Sequence, residues 1–180
     1  MDAKLKDIFD NVNSWLKFAE SKNAALIAFN SAAGFGLASL LASSKLTLSP
    51  VHVYACLCIL LLGLGAVAGL ISFLPRLRIP WSFSKTRINA WDNLLFFGHI
   101  ARYTPERYLD SLSKLVETEA RNFTDMQRIY AEQIVINSQI TMYKYRCFTV
   151  GLWFTLSAFA TPIAPLIGLI IYLARRRKTR

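Results

Sequence analysis

The stretch TPERYLDSLSKLVETEARNFTDMQRIYAEQIVINSQITMYKYRCFTVGLWFTLSAFATPIAPLIGLIIY, residues 104–172, decides how the rest of the chain is read. It opens like a helix N-terminus, with Thr104 as N-cap, Pro105 at the first helical position and Glu106 just inside. From Glu106 to Val150 there is no Gly and no Pro, the two residues that most often interrupt helices. Apolar residues recur at helical spacing, at Leu109, Leu112, Val116, Phe123, Met126, Tyr130, Ile134 and Ile140. At Cys147 the composition changes: no charge appears before Arg175, where a basic cluster closes the run. The reading is one water-compatible helix running without a break into a lipid-compatible one.

The totals agree with a membrane protein that carries a modest polar part. Apolar residues make up 54% of the 180 and charged residues 18%, and the mean hydropathy is +0.35. No cleavable leader is expected: Met1 to Lys22 balances four lysines against four acids and has no apolar core before Ala24. The net charge of +10 comes mainly from the tail and from residues 76–146. The three cysteines, Cys56, Cys58 and Cys147, lie in or beside apolar segments and read as small lipid-compatible side chains. His52 and Cys56 share a helical spacing, but two ligands without a third partner do not make a metal site.

Working outward, Leu5, Ile8, Phe9, Val12, Trp15, Leu16 and Ala19 fall on one face of an N-terminal amphipathic helix, residues 1–23. That helix either lies on the membrane surface or covers the polar domain. Residues 24–74 hold a transmembrane pair. Ala24 to Ala42 is charge-free and would span about 28 Å, and Val51 to Leu74 follows after a short loop. Asn30 is expected to hydrogen-bond another helix, and Gly34, Gly65 and Gly69 to permit close helix packing. Arg76, Arg78, Lys85 and Arg87 then place this side, and the N-terminus with it, in the cytoplasm. Trp81 fits an interfacial anchor. Residues 75–146 read as a cytosolic helical region, 147–174 as a C-terminal membrane segment and 175–180 as a basic tail. Residues 147–174 are either one span kinked at Pro162 and Pro165 or a re-entrant hairpin. The single span is preferred.

The fold class is therefore all-α and integral to the membrane. Enzyme chemistry finds no support: there is no HExxH, GxSxG, CxxC or Gly-rich phosphate loop, and the two histidines are far apart. The spans carry no ionisable groups of the kind that transporters place there. Recognition-type side chains concentrate instead between Lys85 and Tyr108. Arg87, Asn89, Trp91, Asp92, Asn93, Phe97, His99, Arg102 and Tyr108 offer cations for a phosphodiester, polar groups for a ribose hydroxyl and aromatic faces for a base. Trp91, Leu94, Phe97 and Ala101 equally fit an ordinary core face. A second polar set, Gln133, Asn137 and Lys144 with Ser138 and Gln139, sits where the long helix nears the apolar run. It reads either as interhelical hydrogen bonding or as a coupling point.

Three stretches carry a family resemblance. They are Lys22-Asn23-Ala24 with Leu26, Ala28, Phe29 and Asn30; then Asn93 to Ala101 followed by Tyr108-Leu109; then Gln133-Ile134, Ser138-Gln139-Ile140 and Lys144-Tyr145-Arg146. In this order and spacing, from about Lys22 to Phe159, the chain resembles the transmembrane effector proteins of Pycsar antiphage defence. The resemblance implies a non-enzymatic effector of the bacterial inner membrane, without a cofactor, expected to be a homo-oligomer. It would work with a pyrimidine cyclase, bind cyclic CMP (cCMP) or cyclic UMP (cUMP), and impair the membrane in abortive infection. The alternative is a membrane scaffold or assembly factor whose cytosolic helices bind a protein partner.

Overall fold

The structure, a computed structural model, describes residues 1–43, 50–75, 88–89, 91–116, 122–163 and 167–168. Among these the chain is all-α: α1 (Asp2–Ser43), α2 (Pro50–Ile71), α3 (Phe97–Ile100), α4 (Pro105–Leu115) and α5 (Asp125–Ala160). It divides into two compact units. The first joins Met1–Lys22 to Phe73–Arg146, and the second joins Asn23–Ser72 to the chain from Cys147 onward. The divisions fall inside α1 and α5.

In the first unit three helical faces meet. Leu5, Ile8 and Val12 of α1, Tyr108, Leu109 and Leu112 of α4, and Ala131, Ile134 and Val135 of α5 form one cluster with Leu94, Ile100 and Tyr103. Each face uses the i, i+3, i+4 spacing that brings side chains onto one side of a helix. Burying each large aliphatic residue here contributes about 1.5–3 kcal/mol. The apolar stripe of residues 1–23 thus packs within the polar unit, which is one of the two places its pattern allowed. Asp2 receives a hydrogen bond from the Gln127 amide (2.7 Å), and Asn13 receives one from Asn137 (2.8 Å).

The unbroken helix expected from Glu106 is two helices. The Thr104 N-cap is present, with its hydroxyl accepting from the Arg107 N–H, and α4 ends at Leu115. Thr124 then starts α5 with a reciprocal capping box. Its hydroxyl accepts from the Gln127 N–H (3.3 Å), while the Gln127 side-chain oxygen accepts from the Thr124 N–H (3.2 Å). The signal was in the sequence as Thr-x-x-Gln. The absence of Gly and Pro permits continuity but does not impose it, and satisfying the first free N–H groups of α5 rewards a new start. Met126, placed on the apolar stripe by its spacing, is exposed.

The second unit has the opposite surface. Phe35, Leu40, Leu60, Val67, Leu70 and Trp153 are all exposed, and between Asn23 and Ser72 the sequence has one charge, Lys45. Such a surface suits hydrocarbon. Two helices, Asp2–Ser43 and Val51–Ile71, are long and apolar enough to cross a membrane. At 42 residues α1 is about 63 Å long, so only part of it fits a bilayer core. The α5 stretch from Cys147 to Ala160 is about 21 Å, and a turn follows at Thr161 and Pro162. The choice between a kinked span and a hairpin depends on residues 164–174, which lie largely outside the described residues, as do Arg76, Arg78, Trp81, Lys85 and the tail.

Close approach holds this unit together. A Cβ added at Gly65 would meet the Asn30 amide nitrogen at 2.6 Å and the Gly151 carbonyl at 3.0 Å. At Gly151 it would meet Leu26 at 2.7 Å, and at Gly69 it would meet Ile27 at 2.7 Å. The Thr155 hydroxyl donates to the Asn30 side-chain oxygen (2.9 Å), tying α5 to α1, and the Cys58 thiol donates to the Ala158 carbonyl (3.3 Å). Gly34, by contrast, has nothing within 4 Å of the added atom. Gly151→Ala is therefore expected to lower the melting temperature followed by circular dichroism in detergent. Gly34→Ala is expected to leave it unchanged or raise it, because alanine is the better helix former by about 1 kcal/mol. Equal effects at the two positions would contradict the packing described.

Candidate functional site

The residues gathered between Asn89 and Tyr108 form a knitted turn. The Asp92 carboxylate is its hub and is only 3% exposed. It accepts from the Asn89 N–H (3.1 Å) and the Tyr103 hydroxyl (3.4 Å), and Arg102 approaches at 3.5 Å. His99 Nδ1 also lies 3.9 Å from Asp92, but that nitrogen accepts the Asn93 N–H at 2.8 Å. A nitrogen that accepts carries no proton, so the contact with Asp92 is proximity and not an ion pair. The Asn93 side chain closes a turn by accepting from the Leu95 N–H (2.9 Å). The buried Tyr108 hydroxyl donates to the Leu94 carbonyl (3.0 Å).

Three of the proposed ligand contacts are thus already engaged. Asp92 has its oxygens occupied, Tyr108 is fully buried, and Phe97 is buried against Tyr145 in a stacked pair (5.3 Å between centroids, 14° between planes). Leu94, Phe97 and Ala101 do form a core face, while Trp91 stands outside it at 96% exposure. Asn89, Trp91 and Asn93 point outward, with His99 and Arg102 half-exposed. Arg87 lies outside the described residues.

The second polar set is dispersed. Gln133 is exposed. Asn137 binds Asn13, and Gln139 donates to the Ala101 carbonyl (3.3 Å). Lys144 is buried with its ammonium 3.3 Å from Glu20 and over the Phe73 ring (5.1 Å). These bonds join α5 to the N-terminal half of α1 and to the turn after α3.

A cleft of about 430 Å³ lies elsewhere in the same unit, where sequence reasoning placed nothing. Pro105, Glu106, Leu109 and Asp110 of α4 line it with Phe123, Arg128 and Glu132. Glu106 and Asp110 are four apart, as are Arg128 and Glu132, so each helix presents its pair on one face. That spacing was the available signal. Which face of α4 meets which face of α5 was not readable from it. Among the described residues no group of three or more His, Cys, Asp or Glu side chains is placed to hold a metal ion.

With this geometry in view, the comparison with protein families is decisive. Residues 4–174 match the family model described as the Pycsar effector protein domain, PycTM. The chain belongs to the Pycsar effector family. The match runs over both units and all five helices. No curated protein and no solved structure matches. Membership in the Pycsar effector family makes this a membrane effector domain of antiphage defence, and it accounts for a polar helical unit and a lipid-compatible one in a single chain.

The knitted turn has an alkaline signature. Burial, then the charge of Asp92 and its hydrogen bond, push the Tyr103 hydroxyl above its usual range, against an opposing pull from Arg102. Burial alone pushes Tyr108 well above it. A folded pKa above the unfolded value of about 10 means that the unfolded chain ionises first. The stabilisation is full below about pH 10 and declines as pH rises through and beyond it. Melting temperatures between pH 8 and 11 should fall steeply in the wild type and less steeply in Tyr103→Phe; parallel curves would show that the fold does not hold Tyr103 neutral.

Proposed function

We propose that this protein is an antiphage effector that binds a cyclic pyrimidine mononucleotide, cCMP or cUMP, through its polar unit and then impairs the inner membrane, in abortive infection. The observation that carries the reading is the match of residues 4–174 to the Pycsar effector domain, on a chain whose two units have surfaces suited to water and to lipid. In this reading residues 24–74 and 147–174 form the membrane part. Residues 75–146 form the sensor, and it and the N-terminus face the cytoplasm. The effector acts by binding and not by catalysis, and it works as a homo-oligomer.

A ligand shifts a conformational equilibrium only by its differential affinity for the two states. A preference of about 100-fold supplies roughly 2.7 kcal/mol per site, enough to turn a minor membrane-damaging state into the major one when several subunits act together. Asn137, Gln133 and Lys144 are the coupling positions on α5. The Asn13–Asn137 and Glu20–Lys144 contacts are where a change in the sensor would first be felt.

Co-expression with an active pyrimidine cyclase is expected to depolarise cells, read with a membrane-potential dye, and the cyclase or this protein alone is expected not to. Titration of the detergent-solubilised protein should show micromolar or tighter binding of cCMP or cUMP. An absence of both effects would leave the scaffold reading, in which the polar helices bind a protein partner. If the site is the turn that the sequence singles out, Arg87→Ala and Arg102→Ala weaken binding without loss of membrane insertion; normal binding in both moves the site elsewhere in the polar unit.

A further inference from the structure

We propose that the cleft between α4 and the start of α5 is the nucleotide site of this chain, and that its acidic rim makes it selective for cytosine over uracil. The proposal rests on the functional reading above and adds to it a place and a base preference.

The space is right for the ligand. Small-molecule sites run from about 300 to 1,000 Å³, and the cleft, at about 430 Å³, is at the compact end. Its apolar surfaces are the buried Leu109 and the half-buried Pro105 and Phe123. A pyrimidine ring is flat and can lie on an aromatic face such as that of Phe123.

Charge narrows the ligand further. Arg128 is exposed at the cleft, in the first turn of α5, and makes no ion pair among the described residues. Glu132, four residues on, is at a spacing that often pairs, yet it too is free, as are Glu106 and Asp110. Among the described residues the cleft therefore holds one available guanidinium and three available carboxylates. One guanidinium matches the single negative charge of a cyclic phosphodiester. The three acids oppose any anion, and they repel nucleoside di- or triphosphates more strongly than a singly charged cyclic phosphodiester.

Carboxylates are acceptors and need donors from the ligand. A ribose hydroxyl is one donor. The exocyclic amine of cytosine is a second; uracil has a carbonyl oxygen in its place, and its one base donor, the ring N3–H, lies between two carbonyl oxygens that a carboxylate repels. Facing a carboxylate, the amine donates a charge-assisted hydrogen bond, whereas the carbonyl is repelled. This is the contrast with Asp92, whose oxygens already accept from Asn89 and Tyr103 and have Arg102 beside them.

The test is titration calorimetry on the full chain in detergent with cCMP, cUMP and CTP, on the wild type and on Arg128→Ala, Arg128→Lys, Phe123→Ala and the triple variant Glu106→Gln/Asp110→Asn/Glu132→Gln. The wild type is expected to bind cCMP more tightly than cUMP, and CTP least. Arg128→Ala should weaken cCMP about tenfold or more, Arg128→Lys should recover part of that, and the triple variant should narrow the cCMP-over-cUMP ratio. Arg128 is outside the core, so its variants should keep the wild-type melting curve; Phe123→Ala is read only if it does likewise. A wild type that binds cyclic pyrimidine nucleotides, with Arg128→Ala unchanged, overturns the cleft and leaves the function standing. A preference for cUMP overturns the base selectivity. No binding of either nucleotide by the wild type overturns both the site and the functional reading.

Discussion

A leucine gains nothing by leaving hydrocarbon for the inside of a helix bundle, so the lipid-compatible unit has to be held together by something other than burial. The contacts show what replaces it. Gly65 and Gly151 bring α2 and α5 close enough that either glycine, given a Cβ, would collide with its neighbours. The Asn30–Thr155 hydrogen bond joins α1 to α5 in a region where an unmade bond has no water to fall back on. Many large apolar side chains of this unit face outward, while Gly65, Gly151, Asn30 and Thr155 sit where its helices meet. The first unit is built the usual way round, with Leu5, Tyr108, Leu112 and Ile134 in a shared core. One chain therefore obeys two opposite rules of assembly, and α1 and α5 each pass from one to the other.

This division also sorts the chemistry. In the lipid-compatible unit the Asn30 side-chain oxygen, Thr155 and Cys58 are spent on packing. In the first unit two sets of polar groups contrast. Those of the turn after Asn89 satisfy one another: Asp92 with the Asn89 N–H, Tyr103 and Arg102, and Tyr108 with the Leu94 carbonyl. Those at the α4–α5 cleft are set around a space and left available. A buried carboxylate must be satisfied, because an uncompensated buried charge costs several kcal/mol. Satisfying it removes it from ligand chemistry. Density of recognition-type residues in the sequence is thus a poor guide to availability, and Trp91 and Asp92 make the point as neighbours, one almost wholly exposed and the other buried at its carboxylate.

Much of the fold was legible because its signals are local. Charge-free runs mark the lipid-compatible helices, Thr104-Pro105-Glu106 marks the start of α4, and the i, i+3, i+4 stripe of Leu5, Ile8 and Val12 marks a buried face. The family resemblance too rested on short stretches whose order could be read directly. The break before α5 was also written locally, in Thr124 and Gln127, but a capping box competes with the helix propensity around it, and a long Gly- and Pro-free run tilts the reading the other way.

By itself the sequence determined which segments are apolar enough to suit lipid, that the described regular elements are helices, and which family the chain resembles. Hydropathy, capping and helical spacing depend on residues within a few positions of each other. Only the tertiary structure decided which polar groups remain free for a ligand. The Asp2–Gln127, Asn13–Asn137 and Asn30–Thr155 bonds join residues more than 120 positions apart, and the α4–α5 cleft exists only because two helix faces are brought together. Which side chain meets which across such separations is set by the packing of whole helices, and no short window of sequence contains it.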